Sequence, residues 1–507
     1  MTTQNYKSID KIIFFFIKKI GFKKTAFLSA LLTLVTILEV VGVGLFIPLI
    51  SLFLDDSFSE NYSIFNNLFL FTGNLSQINF IYFFLGLILT TYFIKLLIVA
   101  SVAWYKNLII FDLTNNLQKE LFMIYINYPY EEYIQKNTSL LIRNIIDSVE
   151  NVCGNVILPL IVLVAELLVL ISIISFLLIY EPYGTILMIL VISIGALIVH
   201  KLTSKKISLW GNSRNKFAGL RIKSLMQGLK SLKELKILGK QENFLNDFSY
   251  YNLLTVKSQQ KQTTVLEIPR LWLEFLVIFC LVVLIFSMLQ TNQTLSLIVP
   301  KLGIFAIAAM RLLPSANRIV HSLQCIIFGR PAANIILKEI EENQYISYER
   351  NPEILKIHDS IIIDNLSYKY PKKQKKDQEI EIISNINLEI KKNSLIGIVG
   401  ESGSGKSTLA DLILGLLKPT KGDIIIDKNN IQLNLDKWQN NIGYVPQNIY
   451  LSDDTIKKNI AFGIEEKDID QDRLEKSIKI AQLENFIDIL PGKINTSVGE
   501  NGIGLSG

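Results

Sequence analysis

The stretch 400–408 has the residue types and spacing of a phosphate-binding loop. It reads Gly400-Glu401-Ser402-Gly403-Ser404-Gly405-Lys406-Ser407-Thr408. Glycines let the backbone come close to an anion, so the amides of the loop and of a following helix can surround phosphate oxygens. Lys406 would then reach the β and γ phosphates of a nucleoside triphosphate, and the Ser407 hydroxyl would bind Mg²⁺.

A strand before this loop and a helix after it would hold the loop in place. The run 395–399 is apolar with strand character, and 409–417 has the apolar spacing of a helix. Further β-branched runs of strand type lie at 361–364, 379–383 and 423–427. We therefore predict an α/β P-loop domain at 354–507, preceded by a polar linker at 331–353.

The composition of the chain is that of a membrane protein. Of the 507 residues, 50% are hydrophobic, and the mean hydropathy is +0.37. The three cysteines are widely separated and odd in number, so no disulfide framework is expected. The net charge of +6 comes from basic residues dispersed among the connecting segments, which argues against a nucleic-acid partner.

Six apolar stretches approach or exceed the roughly 20 residues that a helix needs to cross a bilayer. They lie at 25–54, 78–105, 155–180, 185–200, 267–289 and 297–313. The first 24 residues lack the small-residue cleavage site of a signal peptide and fit an amphipathic helix in the inner interface better. We therefore predict an interfacial elbow helix at 1–24 and an all-α membrane domain with six helices at 25–330.

The placement of lysine and arginine predicts the orientation of these helices. The first 24 residues hold six lysines and the connection 201–266 holds thirteen basic residues, whereas 55–77 holds none. Both termini are therefore expected to face the cytoplasm. The two long inner connections contain the segments 125–133 and 229–238. We favour contact with the nucleotide-binding domain over exposed hairpin bends, because their aromatic side chains would otherwise face water.

Two further residues extend the predicted nucleotide site. Tyr370 precedes the loop and is placed to stack on a purine. Gln447 follows Lys406 by forty-one residues, and its amide can bind Mg²⁺ and position the attacking water because it both donates and accepts. The last three residues of the sequence are Leu505, Ser506 and Gly507.

This set of residues resembles the ATP-binding cassette of ABC transporters. The correspondence is Walker A at 400–408, the A-loop aromatic at Tyr370, the Q-loop at Gln447 and the start of the signature motif at 505–507. The resemblance implies ATP and Mg²⁺ as cofactors, with Lys406 and Gln447 in catalytic roles. It also implies a dimer, in which Ser506 of one cassette meets the γ-phosphate held by Lys406 of the other.

The family's catalytic glutamate, D-loop and switch histidine would follow Gly507. The run 424–427 ends in Asp427 without a following glutamate, so it is interpreted as an ordinary strand. The chain therefore looks truncated within the signature motif, and as given it is expected to bind nucleotide weakly without turning it over.

Three cations in the predicted spans are candidates for contact with a transported substrate. Lys95 and Arg311 lie about 25 and 21 Å from the outer ends of their helices at ~1.5 Å per residue, and Arg270 lies near the inner start of its span. A ring of such cations would suit a phosphate or pyrophosphate headgroup. The alternatives are neutralisation by Glu39, Glu166 or Glu274, or extension of Lys95 and Arg270 toward the interface.

The segments 127–137, 268–274 and 310–318 resemble bacterial lipid-linked oligosaccharide flippases of the PglK type. That resemblance implies a homodimer of half-transporters in a bacterial inner membrane. Lys95, Arg270 and Arg311 would handle the pyrophosphate of a polyprenyl-linked glycan, although position 95 carries Lys where the family pattern suggests Arg. The alternatives are an exporter of lipid A, peptide or drug, a half-transporter heterodimer, and an inert nucleotide-binding scaffold.

Overall fold

The computed structural model describes residues 9–46, 49, 77–180, 182–290, 295–343, 351–370 and 381–499. These residues fall into two units, Met1–Tyr348 and Glu349–Gly507. The first unit is helical and the second contains a small sheet with short helices. The predicted order, an all-α membrane domain followed by a P-loop cassette, is therefore confirmed.

The first unit contains both long helices, built around apolar runs of many turns, and short ones that connect them. In chain order they are α1 Ile9–Ile20, α2 Phe22–Gly44, α3 Gln77–Ile126, α4 Tyr130–Tyr133, α5 Thr138–Arg143, α6 Val149–Val152, α7 Leu158–Tyr180, α8 Pro182–Lys230, α9 Leu232–Leu238, α10 Gln241–Gln290 and α11 Leu295–Glu342. Two π-helical turns, Asn144–Ser148 and Cys153–Ile157, join α5, α6 and α7 into one helical run.

The predicted membrane spans all fall on these helices, apart from the part of the first span that lies outside the described residues. Five stretches of the described chain are long and apolar enough to cross a bilayer. They are Phe22–Gly42, Ile81–Ile126, Thr138–Ile179, Pro182–Lys230 and Leu312–Glu342. The predicted span 267–289 lies within α10, which is not among these five. Helices α3, α8, α10 and α11 extend far beyond the ~20 residues that a bilayer requires.

The end of α11 is the main difference from the predicted domain boundaries. Residues 331–342, which the sequence suggested as polar linker, are helical. Ala332, Ala333, Ile336 and Leu337 are completely buried in a core formed with α1, α3 and the helical run 138–157. These apolar residues recur on one face of the helix among polar ones, and this mixture makes the segment resemble a linker when only the sequence is considered.

The segment 125–133 differs from the prediction because two of its aromatic side chains are buried. Tyr125 and Tyr128 are 6% and 9% exposed. The Tyr128 hydroxyl donates to the Glu339 carboxylate on α11, and Lys136 lies 3.8 Å from the Tyr128 ring. Burial, and then the bond to Glu339, raises the pKa of Tyr128, so its phenol stays protonated. Within the first unit these two aromatics serve as packing residues.

The second unit contains a four-stranded antiparallel sheet in the order β2-β1-β3-β4. Its strands are β1 Ser360–Lys369, β2 Glu381–Lys391, β3 Lys421–Ile426 and β4 Asn429–Asn430. Ile363 of β1 lies opposite Leu388 of β2 and Ile424 of β3, which puts apolar side chains in register on the core face. The strand predicted at 361–364 is confirmed. The strand predicted at 423–427 is confirmed as far as Ile426, and the one predicted at 379–383 is confirmed from Glu381 onward.

The predicted strand at 395–399 is not a strand in the structure. Leu395 and Val399 are 100% and 96% exposed. A strand needs a neighbour to bind its amides and carbonyls, and none of the four described strands lies beside this run. The local sequence has strand propensity here, but the described residues supply no partner for it.

Short helices complete the second unit around two separate cores. They are α12 Lys406–Ile413, α13 Leu435–Gln439, α14 Ile456–Ile460, α15 Gln471–Ile480 and α16 Glu484–Ile489. One core joins the sheet to α12 and to Trp438, and the other joins α14, α15 and α16. The first core is the one that supports the predicted phosphate loop.

Asp427 fixes the turn after β3 to the start of β1. Its carboxylate accepts backbone N–H bonds from His358 at 2.8 Å, Asp359 at 2.9 Å and Ser360 at 3.1 Å. These bonds, led by the one from His358, hold the pKa of Asp427 below its ordinary value. Protonation of Asp427 therefore removes a stabilising interaction. The stability that this carboxylate contributes is fully present above the pKa of the unfolded state, and it is lost as the pH falls through the lower pKa of the folded state.

We expect Asp427→Asn to destabilise the second unit at neutral pH and to flatten its loss of stability below about pH 4. Unfolding can be followed by fluorescence of Trp438, which is buried in this unit, in a chain whose other three tryptophans are phenylalanine. Asp468→Asn is the control, because that carboxylate lies on the surface. An unchanged acid dependence in Asp427→Asn would contradict the role given to this carboxylate.

Candidate nucleotide site

The phosphate loop adopts a conformation that depends on its glycines. Gly403 and Gly405 have φ values of +84° and +92°, in the region that other residues rarely adopt. A Cβ on Gly405 would lie 3.2 Å from the carbonyl oxygen of Ile382 on β2. The Ser404 amide donates to the Glu401 carbonyl at 3.2 Å, which closes the turn. The loop therefore rests directly on the edge of the sheet.

The Lys406 side chain lies back across the loop. Its ammonium donates to the carbonyl oxygens of Gly400 at 2.8 Å and Glu401 at 2.6 Å. Two carbonyl dipoles thus hold a full positive charge at the mouth of the loop, next to the first turn of α12. The same charge can bind phosphate oxygens, which are stronger acceptors than neutral carbonyls.

Helix α12 is anchored so that its polar N-terminal residues remain accessible. Thr408, Leu409 and Leu412 are buried against the sheet, whereas Ser407 and Ser402 are exposed. The Leu409 amide donates to the Gly405 carbonyl at 2.8 Å, which starts the helix directly after the loop. The exposed hydroxyl of Ser407 fits the predicted role of Mg²⁺ ligand, because hard cations prefer oxygen ligands.

Tyr370 lies at the end of β1 and packs on the core that supports the loop. Its ring meets Tyr368 edge to face, with centroids 5.0 Å apart. Tyr368 pairs with Ile383 of β2, and the neighbouring Ile382 contacts the loop at Gly405. Tyr370 is half-buried, which leaves part of its ring available for stacking on a purine. The structure thus brings Tyr370 and the phosphate loop to the same region of the sheet.

Gln447 is not joined to this site in the part of the chain that the structure describes. Gln447 lies exposed in the connection between α13 and α14. Among the described residues it makes no hydrogen bond with the loop. Ser506 lies outside the described residues, so its predicted role across a dimer remains a prediction. The loop, Lys406, Ser407 and Tyr370 form the part of the site that the tertiary structure assembles, and together they suit a purine nucleoside triphosphate with Mg²⁺.

Two of the three cations predicted for the membrane domain are paired with carboxylates. Lys95 lies 3.0 Å from Glu39, with side chains 17% and 3% exposed. Arg270 lies 3.0 Å from Glu274, one turn further along the same helix. The side chain of Arg311 lies outside the described residues. The pairs at Lys95 and Arg270 agree with the alternative of neutralisation by Glu39 and Glu274, because charges in a low-dielectric region take partners. Their role toward a substrate stays a prediction.

Two arginines of the membrane domain, Arg318 and Arg214, were not among the predicted site residues. Arg318 on α11 makes two bonds to Glu166 on α7, at 2.6 and 3.1 Å. Arg214 on α8 lies among polar residues, with a buried Nη1 that has no hydrogen-bond partner. Arg318 follows Arg311 by two helical turns, a spacing that puts both near one face and could have indicated it. Nothing in the sequence distinguishes Arg214 from its neighbours, since it is one of thirteen basic residues between 201 and 266.

Comparison with known proteins supports the interpretation of the second unit as a nucleotide-binding cassette. The family model described as ABC transporter matches residues 383–507. An ATP-dependent lipid A-core flippase of Photorhabdus laumondii is 25% identical over 77% of this chain and 66% of its own length. The multidrug resistance-like ATP-binding protein MdlA of Buchnera aphidicola is 27% identical over 81% of this chain and 70% of its own length.

The fold is similar to that of a solved bacterial Atm1-family ABC exporter with ATP bound. The TM-score is 0.76 at 18% sequence identity, over 96% of this chain and 82% of that one. The chain spans just under two thirds of the length of the Photorhabdus flippase. Residues 383–507 therefore match the ABC transporter family model, and the chain has the fold of that exporter.

Proposed function

We propose that this chain is one half of an ATP-driven exporter that flips an anionic lipid from the inner to the outer leaflet of a bacterial inner membrane. The observation that carries the proposal is the phosphate loop, in which Lys406 is held over two carbonyls, in a chain whose first unit has the exporter fold. Both termini would face the cytoplasm, as the lysine distribution suggests.

In this proposal the residues of the cassette bind and orient the nucleotide. Tyr370 would stack on the base, the loop amides and Lys406 would hold the β and γ phosphates, and Ser407 and Gln447 would hold Mg²⁺. Magnesium would neutralise charge that develops on the transferred phosphoryl group. For residues 1–507 alone we propose binding without turnover, because no carboxylate in the stretch matches the family's catalytic glutamate.

The proposed nucleotide site would require two copies of the cassette. A single phosphate loop covers one side of the nucleotide, and Ser506 of a second copy would approach the γ-phosphate from the other side. We therefore propose that the functional unit is a homodimer, with a heterodimer of half-transporters as the alternative. No nucleic-acid partner is proposed.

For the substrate we propose a polyprenyl-pyrophosphate-linked oligosaccharide or a related glycolipid. Support comes from the resemblance of 127–137, 268–274 and 310–318 to flippases of that type, and from Arg311 in the last span. Lys95 and Arg270 are paired with Glu39 and Glu274. These two cations can therefore bind the substrate only if the carboxylates release them. A second candidate is a lipid A-core, because a relative at 25% identity is named a lipid A-core flippase.

A leaflet-resolved transport assay tests the substrate. Vesicles containing the complete protein would be supplied with labelled polyprenyl-pyrophosphate glycan, lipid A-core or a neutral drug. We expect ATP-dependent flipping of the first, slowed about tenfold or more in Arg311→Gln, since a lost charged hydrogen bond costs roughly 1.5–3 kcal/mol. Lys338→Gln, an exposed cation on the same helix, should leave the rate unchanged.

The other outcomes separate the alternatives. Flipping of lipid A-core without the polyprenyl substrate would establish the second candidate. Transport of the neutral drug alone, unaffected by Arg311→Gln, would refute an anionic lipid. Absence of ATP-dependent movement of every substrate would leave the nucleotide-binding scaffold as the function.

A further inference from the structure

The segment 351–355 begins the described part of the second unit and has no regular secondary structure. Its backbone is held instead by residues at the end of α13. The side-chain amide of Asn440 donates to two of its carbonyls, those of Asn351 at 2.8 Å and Glu353 at 3.0 Å. Since backbone groups outside helices and strands need other partners, Asn440 fixes the path of the chain where it enters the second unit.

Three further contacts tie the same segment to α13 and the residues after it. The Leu355 amide donates to the Lys437 carbonyl at 3.1 Å, and the Asn441 side chain donates to the Leu355 carbonyl at 2.9 Å. The Lys437 ammonium also pairs with the Glu353 carboxylate. The Leu355 side chain packs against the core that supports the phosphate loop. The segment 351–355 therefore has a defined seat, formed by α13 and this core.

The same short helix also holds the end of α12. The indole N–H of Trp438 donates to the Ile413 carbonyl at 2.7 Å, and the Gln439 side chain donates to the Leu414 carbonyl at 3.2 Å. The last carbonyls of a helix have no partner within the helix, so these two side chains complete the hydrogen bonding of α12 at its C-terminal end. Trp438 is buried, which keeps water from replacing its bond.

Helix α12 thus has the phosphate loop at one end and α13 at the other. Its first residue is Lys406, which directly follows the glycine turn of the loop. The helix has 8 residues and is about 12 Å long at ~1.5 Å per residue. Because its own hydrogen bonds keep so short a helix straight, its two ends move together. A continuous set of contacts therefore runs from the phosphate loop through α12 and α13 to the segment 351–355.

We propose that α13 couples nucleotide binding to the seating of the segment 351–355, with Trp438 and Asn440 as positioning residues. The inference rests on the proposed nucleotide site at 400–408 and adds a regulation of that site. Proteins open locally in cooperative groups of contacts. A nucleotide that binds only when α12 is in place stabilises the closed form of the whole group. By linkage, the seated segment favours nucleotide binding by the same factor.

This coupling acts at the point where the two units are joined in the chain. Helix α11 ends at Glu342, and the chain then passes through 343–350 to the segment 351–355. A nucleotide at the phosphate loop would therefore restrain the first residues that follow the membrane domain. Release of the nucleotide would free them.

Hydrogen–deuterium exchange of the detergent-solubilised full chain tests the coupling. The Leu355 amide reports on the seat, because it donates to the Lys437 carbonyl. With Mg²⁺ and a saturating non-hydrolysable ATP analogue, we expect exchange in peptides covering 351–357 to slow about fivefold or more, as is typical of coupled sites. Unchanged exchange in a wild-type chain that has bound the analogue overturns the proposal.

Trp438→Phe tests the contact between α13 and α12. The variant keeps an aromatic ring in the core but loses the donor to the Ile413 carbonyl. We expect the bound analogue to slow exchange at 351–357 much less in this variant than in the wild type. Trp104→Phe is the matched control, because Trp104 is 77% exposed in the first unit, and it should show the full slowing. Full slowing in Trp438→Phe contradicts the role given to Trp438.

Asn440→Asp tests the contact between α13 and the segment 351–355. Aspartate has the shape of asparagine, but its carboxylate cannot donate to the carbonyls of Asn351 and Glu353. Without nucleotide, exchange should rise at 351–357 and also in α12. The affinity for a fluorescent ATP analogue should fall about fivefold or more, by linkage. A role confined to local packing would raise exchange at 351–357 alone and leave the affinity unchanged, which would overturn the proposal.

These measurements separate the coupling from the nucleotide site itself. Tight binding of the analogue together with unchanged exchange at 351–357 refutes the coupling and keeps the site at 400–408. A wild-type chain that binds no analogue refutes that site. Exchange in α12 of Asn440→Asp is measured without nucleotide, so an unchanged rate there refutes the link through α13 whether or not the analogue binds.

Discussion

Lys406→Ala is expected to weaken binding of Mg·ATP by about a hundredfold or more. The wild-type ammonium is held over the loop by the carbonyls of Gly400 and Glu401, so the variant loses the charge and also the two bonds that shape the mouth of the loop. Two charge-assisted hydrogen bonds at roughly 1.5 kcal/mol each give a change of this size. Titration of the purified chain with a fluorescent ATP analogue measures it.

Lys418→Ala is the matched control, since this lysine is exposed in the same unit and follows the loop helix. Its affinity for nucleotide should equal that of the wild type. In the complete protein, Lys406→Ala should also abolish ATP-dependent transport. If the variant bound Mg·ATP as tightly as the wild type, the 400–408 loop would not be the nucleotide site.

Gly211→Ala is expected to destabilise the membrane domain by about 2 kcal/mol or more. Gly211 is buried on α8, and a Cβ there would lie 2.3 Å from the backbone carbonyl oxygen of Phe328 on α11. A backbone atom cannot rotate away, so the two helices must separate, and overpacking of this kind costs roughly 1–3 kcal/mol. A lower thermal unfolding midpoint in detergent would report the loss.

Gly228→Ala makes the same substitution on the same helix without a clash. Its Cβ would come no closer than 3.7 Å to the Phe244 side chain. Because alanine is favoured over glycine within a helix by about 1 kcal/mol, this variant should be as stable as the wild type or slightly more stable. Equal midpoints for the two variants would contradict the close approach of α8 and α11.

The sequence could predict those parts of the nucleotide site that local chain chemistry determines. The sequence predicted the glycine-dependent turn at 400–408 and the helix after it, because glycine spacing and short-range periodicity act within a few residues. The stacking role of Tyr370 stays a prediction. The run 395–399 shows the limit of this approach. Its β-branched residues favour a strand, but a strand also requires a neighbour, and the described residues supply none.

The first part of the predicted linker at 331–353 is helical for a related reason. Between 331 and 342 the polar residues are numerous, yet most of the apolar ones fall on one face of α11 and are buried. Average composition cannot reveal such burial when the surfaces that provide it come from α1, α3 and the 138–157 run. The same core buries Tyr125 and Tyr128, for which the sequence favoured contact with the nucleotide-binding domain.

By itself, the sequence determined that this chain has a membrane domain of long apolar helices and a cassette with a phosphate loop, because hydropathy, periodicity and glycine spacing are local properties. Only the tertiary structure decided which charges are paired. Lys95 meets Glu39 across 56 residues of sequence, and Arg318 meets Glu166 across 152. The energy of a charge inside a membrane domain depends on its nearest partners, and helix packing brings those partners together.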